Sequence, residues 1–416
     1  MRRNRAGEAV GIASLCTAHP MVLRAAMARA AACGELVLIE ATCNQVNQDG
    51  GYTGMTPVDF RDRQHALAAE VGLSTDLLLL GGDHLGPNPW RHRPAAEAMA
   101  KAQVLVAAFA AAGYRKLHLD ASMACADDPV ALPPETIAAR AAILCAAAET
   151  AAHMAGLPPP LYVIGTEVPT PGGAQGGMHE LAITPPAEVE ATLALHRRAF
   201  AEAGHEAALE RTLAVVVQPG VEFGSDSVHD FQPEAARPLQ AALTAVDGVV
   251  FEAHSTDYQS GPALRALVAG HFAILKVGPE LTFALREALF ALDAIAAERT
   301  PWHQGVRAAL EAAMLVRPLW WKDYHAPTDR IGRLFSLSDR VRYYWPEPEV
   351  DAAVQHLLAQ SQDLPPTLVS QYLPRQYDAY RAGELALTAE ALVAHRVGEV
   401  LARYAAACGS PAIRRR

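Results

Sequence analysis

Leu77-Leu78-Leu79-Leu80-Gly81-Gly82-Asp83-His84-Leu85-Gly86-Pro87-Asn88 sets the frame for the whole chain. Four consecutive leucines read as a strand covered on both faces, as in a parallel sheet flanked by helices. Two glycines let the backbone turn sharply, and an acid and an imidazole stand side by side at the strand's C-terminal mouth. Gly86, Pro87 and Asn88 end the element. Such a pair offers a proton-transfer group and a metal ligand together. As plain scaffolding, Asp83 would bond local amides and His84 would sit half-exposed.

The same unit recurs on both sides of this stretch. Apolar runs at Val10–Cys16, Leu36–Ile39, Leu77–Leu80, Lys116–Leu119, Leu161–Ile164, Leu213–Val217, Val249–Ala253 and Phe272–Val277 predict eight strands. An alanine-rich helical pattern follows each, and prolines recur at the helix starts, where a missing amide proton costs nothing. Eight strand–helix units predict an α/β fold of the (β/α)8 TIM barrel type. An open doubly wound sheet is the alternative, but no Gly-x-Gly-x-x-Gly fingerprint follows any strand. Residues 1–299 are therefore assigned to a barrel carrying the active site. Residues 300–416 are assigned to a mostly helical C-terminal extension that packs on the barrel or at a subunit interface. Its polar-aromatic clusters, Pro318 to Lys322, Ser336 to Trp345 and Ser370 to Arg375, favour packing. A cap over the barrel mouth is the alternative, because arginines are interleaved with tyrosines.

Composition narrows the function classes. Apolar residues make up 51% of the chain and charged residues 19%, which suits a globular protein with a sizeable core. The net charge of −10 and the lack of a basic stripe speak against nucleic acid. The six cysteines are scattered without a Cys-x-x-Cys pair, as in a reducing cytoplasm. No apolar stretch is of membrane-spanning length, and the basic N-terminus lacks the apolar run of a signal peptide. The expectation is a cytoplasmic protein with no membrane contact, assembling as a homo-oligomer.

Polar residues just past the strands of such a barrel converge on one mouth. Here they are Cys16 and His19, Glu40 and Asn44, Asp83 and His84, His118 and Asp120, Glu167, Gln218, His254 and Asp257, and Lys276. Helix-facing positions are mainly alanine and leucine, and this asymmetry argues for an enzyme. His84, Glu167 and His254 form a nitrogen-oxygen-nitrogen set suited to a divalent metal, with Gln218 as a fourth ligand or an orienting group. Without metal, the two histidines would be hydrogen-bonded mouth residues. His118 and Asp120 alternate along a strand and face the same way. They form a buried pair lining the barrel top, or Asp120 steadies a hydroxyl or a metal ligand. Lys276 binds anionic or hydroxyl oxygens, or pairs with a carboxylate. The loop from Asn44 and Gln45 to Gly54 suits sugar hydroxyls or a lid, and Pro171 to Gly177 a second closing loop. Ser255, Asp257 and Lys276 lie beside the last two helix N-termini, where barrels often bind phosphate. Neutral sugar is the rival ligand.

Several motifs, taken in order, carry a resemblance. They are IEATCNQVNQDGGYTGMTP from Ile39, GGDHLGPN from Gly81, KLHLDASM from Lys116, VIGTEVPTPGG from Val163, VVQPGVEF from Val216, FEAHSTDYQ from Phe251, FAILKVGP from Phe272 and LSDRVRYYW from Leu337. In this order the chain resembles the non-catalytic subunit family of class II tagatose-1,6-bisphosphate aldolase. That family includes metal-dependent ketohexose and hexuronate 4-epimerases. The resemblance spans nearly the whole chain and implies a barrel related to the zinc-dependent class II aldolases. It implies that Asp83 is a catalytic aspartate and that His84 and His254 are metal ligands. Where those aldolases place a histidine on strand six this chain has Gln218, and Glu167 would compensate at the metal.

A ketohexose or its phosphate, of the tagatose or fructose type, is the substrate these readings imply. C4 is not adjacent to the C2 carbonyl, so simple enolisation does not reach it. Retro-aldol cleavage of C3–C4, rotation of the aldehyde and re-addition would invert C4. Asp83 is the first choice for the proton on the C4 hydroxyl, with Glu40 or Asp120 second and Glu167 as a further carboxylate. The cofactor expected is zinc, with manganese, cobalt or nickel as alternatives. The competing reading is an accessory subunit that stabilises a class II aldolase catalytic subunit without turnover of its own.

Overall fold

Eight parallel strands close on themselves in the computed structural model, which describes residues 1–166, 181–300, 303 and 305–409. In chain order the strands are β1 (Ile12–Leu15), β2 (Val37–Thr42), β3 (Leu78–Leu85), β4 (Lys116–Leu119), β5 (Leu161–Ile164) and β6 (Thr212–Val217). A short antiparallel hairpin, β7 (Glu222–Phe223) and β8 (Val228–His229), comes next, and β9 (Val250–Ala253) and β10 (Phe272–Val277) complete the barrel. The closed order is β1-β10-β9-β6-β5-β4-β3-β2. Every apolar run read from the sequence coincides with a barrel strand. The hairpin went unread because two-residue strands carry no periodicity. Glu167 and the Pro171–Gly177 loop lie outside the described residues.

Local chemistry explains the element ends. Proline occupies the first turn of the helices Pro20–Cys33, Pro57–Glu70, Pro134–Met154, Pro186–Glu202 and Pro279–Arg299. It is preorganised there and wastes no hydrogen bond. Thr56 and Asp59 add a reciprocal capping box to the second of these. No helix among the described residues is long and apolar enough to cross a membrane.

One strand departs from regular pairing, and it does so at Asp83-His84. Gly82 pairs with Leu117 and Leu85 with Leu119, so β3 holds one more residue than β4 over this interval. The extra residue makes a bulge, which re-aims side chains. His84 takes a left-handed backbone with φ 48°, a conformation that non-glycine residues adopt at a strain of about 1–3 kcal/mol. Gly86 then passes so near β4 that a Cβ would lie 1.6 Å from the carbonyl oxygen of Asp120. Only glycine fits that crossing.

Past the last barrel helix the described chain is helical, with Val306–Val316, Arg330–Phe335, Pro348–Gln360, Pro366–Tyr372, Pro374–Arg381 and Ala389–Ala407. The final helix packs on Pro20–Cys33, Gly261–Ala269 and Pro279–Arg299. Its Tyr404 hydroxyl donates to the Thr256 carbonyl at 2.6 Å, tying it to the loop after β9. A second anchor is Asp339, itself left-handed at φ 43°. Its carboxylate accepts from Thr282 Oγ1 at 2.6 Å and from Arg286 Nε at 2.7 Å. The turn that follows, Arg340–Tyr343, is thereby fixed above the barrel mouth.

Candidate active site

The barrel interior is charged. Lys116 on β4 reaches Glu40 on β2 at 2.5 Å and Glu252 on β9 at 2.7 Å. Neither β2 nor β9 neighbours β4, so all three side chains point inward. Lys276 on β10 pairs with Glu40 and with Asp83, the latter at 2.8 Å, and lies 4.0 Å from Glu252. Gly81 makes room for this layer, because a Cβ there would meet the Glu40 carboxylate at 2.7 Å. Burial opposes charge at each position, yet opposite charges outweigh it. The Lys116 pKa is raised by Glu252 and Glu40, and that of Lys276 is raised well above normal by Asp83, Cys16, Glu40 and Glu252. The Glu252 carboxyl is held well below the usual range by Lys116, Lys276 and His254.

Three imidazoles stand above the ions. His84, His118 and His254 form a triangle with ring centroids 5.0–5.3 Å apart. His84 Nδ1 lies 2.8 Å from Asp120 Oδ2, and Asp120 is steadied by the Ser122 hydroxyl at 2.6 Å. That bond turns His84 Nε2 toward Asp83, 3.6 Å away. His118 Nδ1 lies 2.9 Å from Asp83 Oδ1, and His254 Nε2 lies 3.0 Å from Glu252 Oε1. His84 and His254 are shifted in opposite directions. Burial would lower the His84 pKa, but Asp83 and Asp120 raise it; burial prevails at His254 and lowers its pKa to about 4. Asp83 is ionised despite burial, held well below the carboxylate range by His84, Lys276 and His118.

Asp83, His118, Glu252 and His254 each offer a donor atom within 4.8 Å of the others, all buried. The set fits a divalent cation on chemical grounds, with nitrogen and carboxylate oxygen donors from β3, β4 and the end of β9. His118 Nε2 is the specific sign. It is fully buried without a hydrogen-bond partner among the described residues, and it stands in a cluster of other donors. The Asp120–His84 bond is likewise the carboxylate–imidazole contact that orients a ligand's other nitrogen.

A cavity opens over this cluster. Asp83, His84, His254 and Lys276 line its base, with Cys16 Sγ 3.7 Å from Asp83 Oδ2. Asn44, Gln45, Ser255 and Asp257 line its walls, as do Tyr52 and Phe223. Arg342 and Tyr343 reach in from the extension. The Asp257 carboxyl is pushed up to about 7 by burial, although it accepts from the backbone amides of Gly278 and Glu280.

The family model for D-tagatose-1,6-bisphosphate aldolase subunit GatZ/KbaZ-like proteins matches residues 1–409. The chain belongs to the GatZ/KbaZ-like family. A curated relative from Agrobacterium fabrum (strain C58 / ATCC 33970), a D-tagatose 6-phosphate 4-epimerase, is 53% identical over 419 residues, covering 97% of this chain and 96% of the relative. The crystal structure of a probable tagatose 6 phosphate kinase from Sinorhizobium meliloti 1021 superposes with a TM-score of 0.88 at 50% identity. That match covers 96% of this chain and all of the other.

Within this GatZ/KbaZ-like site, several positions differ from the sequence expectation. Gln218 Oε1, expected at a metal, accepts from the amides of Gly220 and Val221 at 2.8 and 3.0 Å and is not among the cavity-lining residues. Glu40, a candidate base, lies below the cavity between two lysines. Asp120 stands behind His84, where it can orient but does not line the cavity. His118, expected to hold substrate, faces the metal-donor cluster. Lys276 is already ion-paired. Glu252 and Lys116 were missed, although each is the lone ionisable residue of its apolar run apart from His118. Arg342 was placed among packing residues.

Proposed function

We propose that this chain is a divalent-metal-dependent 4-epimerase of ketohexose 6-phosphates, interconverting D-tagatose 6-phosphate and D-fructose 6-phosphate. The observation that carries the reading is the cluster of Asp83, His84 and His254 at the base of one cavity. The named activity of the 53%-identical relative supports it. His84, His118 and His254, with a carboxylate from Glu252, would hold the metal; zinc is the first candidate, and manganese, cobalt or nickel the alternatives. Glu167 is a further candidate ligand.

When bound, the cation would supply electrostatic stabilisation for the negative charge that develops on the substrate during cleavage. Asp83 accepts the C4 hydroxyl proton as the C3–C4 bond breaks and returns it after the aldehyde has turned and re-added. It is ionised, as a proton acceptor must be, and is held so by His84 and Lys276. Asp120 keeps the His84 ring in one tautomer and orientation. Asn44, Gln45, Ser255 and Asp257 surround the sugar and restrain the free aldehyde, the condition for epimerisation over net cleavage.

The test is direct. Metal-loaded protein is incubated with D-tagatose 6-phosphate without ATP, and the sugars are resolved by NMR. D-fructose 6-phosphate is expected, with hydrogen retained at C4 in D2O because the C4–H bond is never broken. ATP-independence separates this activity from a kinase. A protein inactive on phosphorylated and free ketoses and on the bisphosphate sinks the reading. If His84→Ala still sustains a partner aldolase, the accessory role gains support.

A further inference from the structure

The cavity holds two side-chain cations, and they differ in how their charge is met. Lys276 is neutralised by Glu40 and Asp83. Arg342 has no carboxylate within ion-pair distance among the described residues. Its Nη1 donates to the carbonyls of Ser338 and of Asp339, the latter at 3.1 Å. Its Nη2 donates to the Tyr343 hydroxyl at 2.8 Å. These contacts hold the guanidinium rigidly, and the carboxylates of Asp339 and Asp257 act on it through space without pairing with it. Two nitrogens, Nε and Nη2, retain donor capacity, and a planar fork of that kind matches phosphate geometry.

Barrels often bind phosphate at a helix N-terminus near the last strands. Here that position is taken. Asp257 Oδ1 accepts from the amides of Gly278 at 3.0 Å and Glu280 at 2.8 Å, at the start of the helix Pro279–Arg299. An anion would have to displace a buried carboxylate to use those amides. The mouth also opens past Cys16, Gln45, Tyr52 and Arg342 into a second cavity, lined by Arg63 and Asp351 among others. Arg342 is therefore the cation at the junction, between the donor cluster and the outer space.

We propose that Arg342 binds the phosphate of the ketohexose phosphate and sets the preference for phosphorylated over free sugar, an assignment that rests on the epimerase reading for the substrate's identity. Asp339 is the positioning residue, since its left-handed backbone and its bonds to Thr282 and Arg286 fix the turn that carries Arg342. The extension thus supplies part of the substrate site, and phosphate recognition comes from outside the barrel.

Metal-loaded wild-type, Arg342→Met and Arg342→Lys proteins are titrated calorimetrically with D-fructose 6-phosphate, inorganic phosphate and D-fructose. Turnover of D-tagatose 6-phosphate and D-tagatose is measured in parallel. Loss of a charge-assisted fork predicts about 10–100-fold weaker binding of both phosphate-bearing probes by Arg342→Met. The ratio of kcat/KM for phosphorylated over free ketose falls by a similar factor, mostly through KM. Arg342→Lys keeps a point charge and loses less. Thermal unfolding checks the fold, and if Arg342→Met does not fold, the selective loss in Arg342→Lys decides. Equal weakening for phosphorylated and free sugar, unchanged affinity, or a wild type that binds no phosphate overturns the assignment. If phosphate binding depends on Arg342 but no epimerisation occurs, the epimerase reading fails and the phosphate site stands.

Discussion

Along β4, Leu117 and Leu119 join the large apolar core, while Lys116 and His118, which alternate with them, are also buried and point into the barrel. The same alternation gives Phe251 against Glu252 on β9 and Leu275 against Lys276 on β10. The outward face is stabilised by removing apolar area from water. The inward face removes charges from water and recovers the loss only through partners. Histidine shows the contrast well. His196, on the helix Pro186–Glu202, sits in the outward shell with Nδ1 on the Thr192 carbonyl, and burial lowers its pKa to about 4. His84, no less buried among carboxylates, is shifted the other way. Beside Asp83 and Asp120 a buried imidazole holds its proton more tightly; against apolar neighbours it gives it up.

The largest effect expected on this contrast is at Asp83. Asp83→Asn keeps the shape and removes the proton acceptor, so kcat should fall about 10²–10⁴-fold with the circular dichroism spectrum unchanged. Retained turnover would move the acid/base role elsewhere. Lys116→Met leaves Glu40 and Glu252 to share Lys276 and should destabilise the fold by about 3–5 kcal/mol in urea unfolding. An outward Leu117→Ala should lose about 2–5 kcal/mol by cavity formation and leave the pH dependence of stability alone. A Lys116→Met protein as stable as wild type would break the comparison.

The neutral histidine gives a pH signature. Folded His196 holds fewer protons than the unfolded chain between pH 6.5 and 4. Its contribution is complete above pH 6.5 and falls away as the pH drops toward 4, by about 3 kcal/mol in all. His196→Leu should flatten that acid limb in urea midpoints measured across the range. Smaller still is Asp120→Asn, expected to weaken metal affinity about 10–100-fold by freeing the His84 ring, as read by competition with a chelator.

The fold was legible because each barrel strand is a short apolar run with a helix-opening proline behind it. Asp83-His84 was legible because two glycines announce the bulge that aims it. Position past a strand says where a residue stands but not how its side chain turns, which is why Gln218 was read toward the mouth while its oxygen caps its own loop. Glu252 and Lys116 were hidden inside strand runs, where ionisable residues look like defects until strands from across the barrel supply partners. Arg342 lay beyond reach altogether. Nothing local to LSDRVRYYW says that the turn meets a cavity built from residues far earlier in the chain.

The helix Ala389–Ala407 lies across the helices that flank the β1–β10 seam, the joint where Ile12 pairs with Ile274. During synthesis the first strand leaves the ribosome long before its partner exists, and the helix covering their joint emerges later still. The nascent chain must therefore carry an open, sticky sheet edge through most of its translation. Slow passage over the codons that precede β10 would lengthen that exposure.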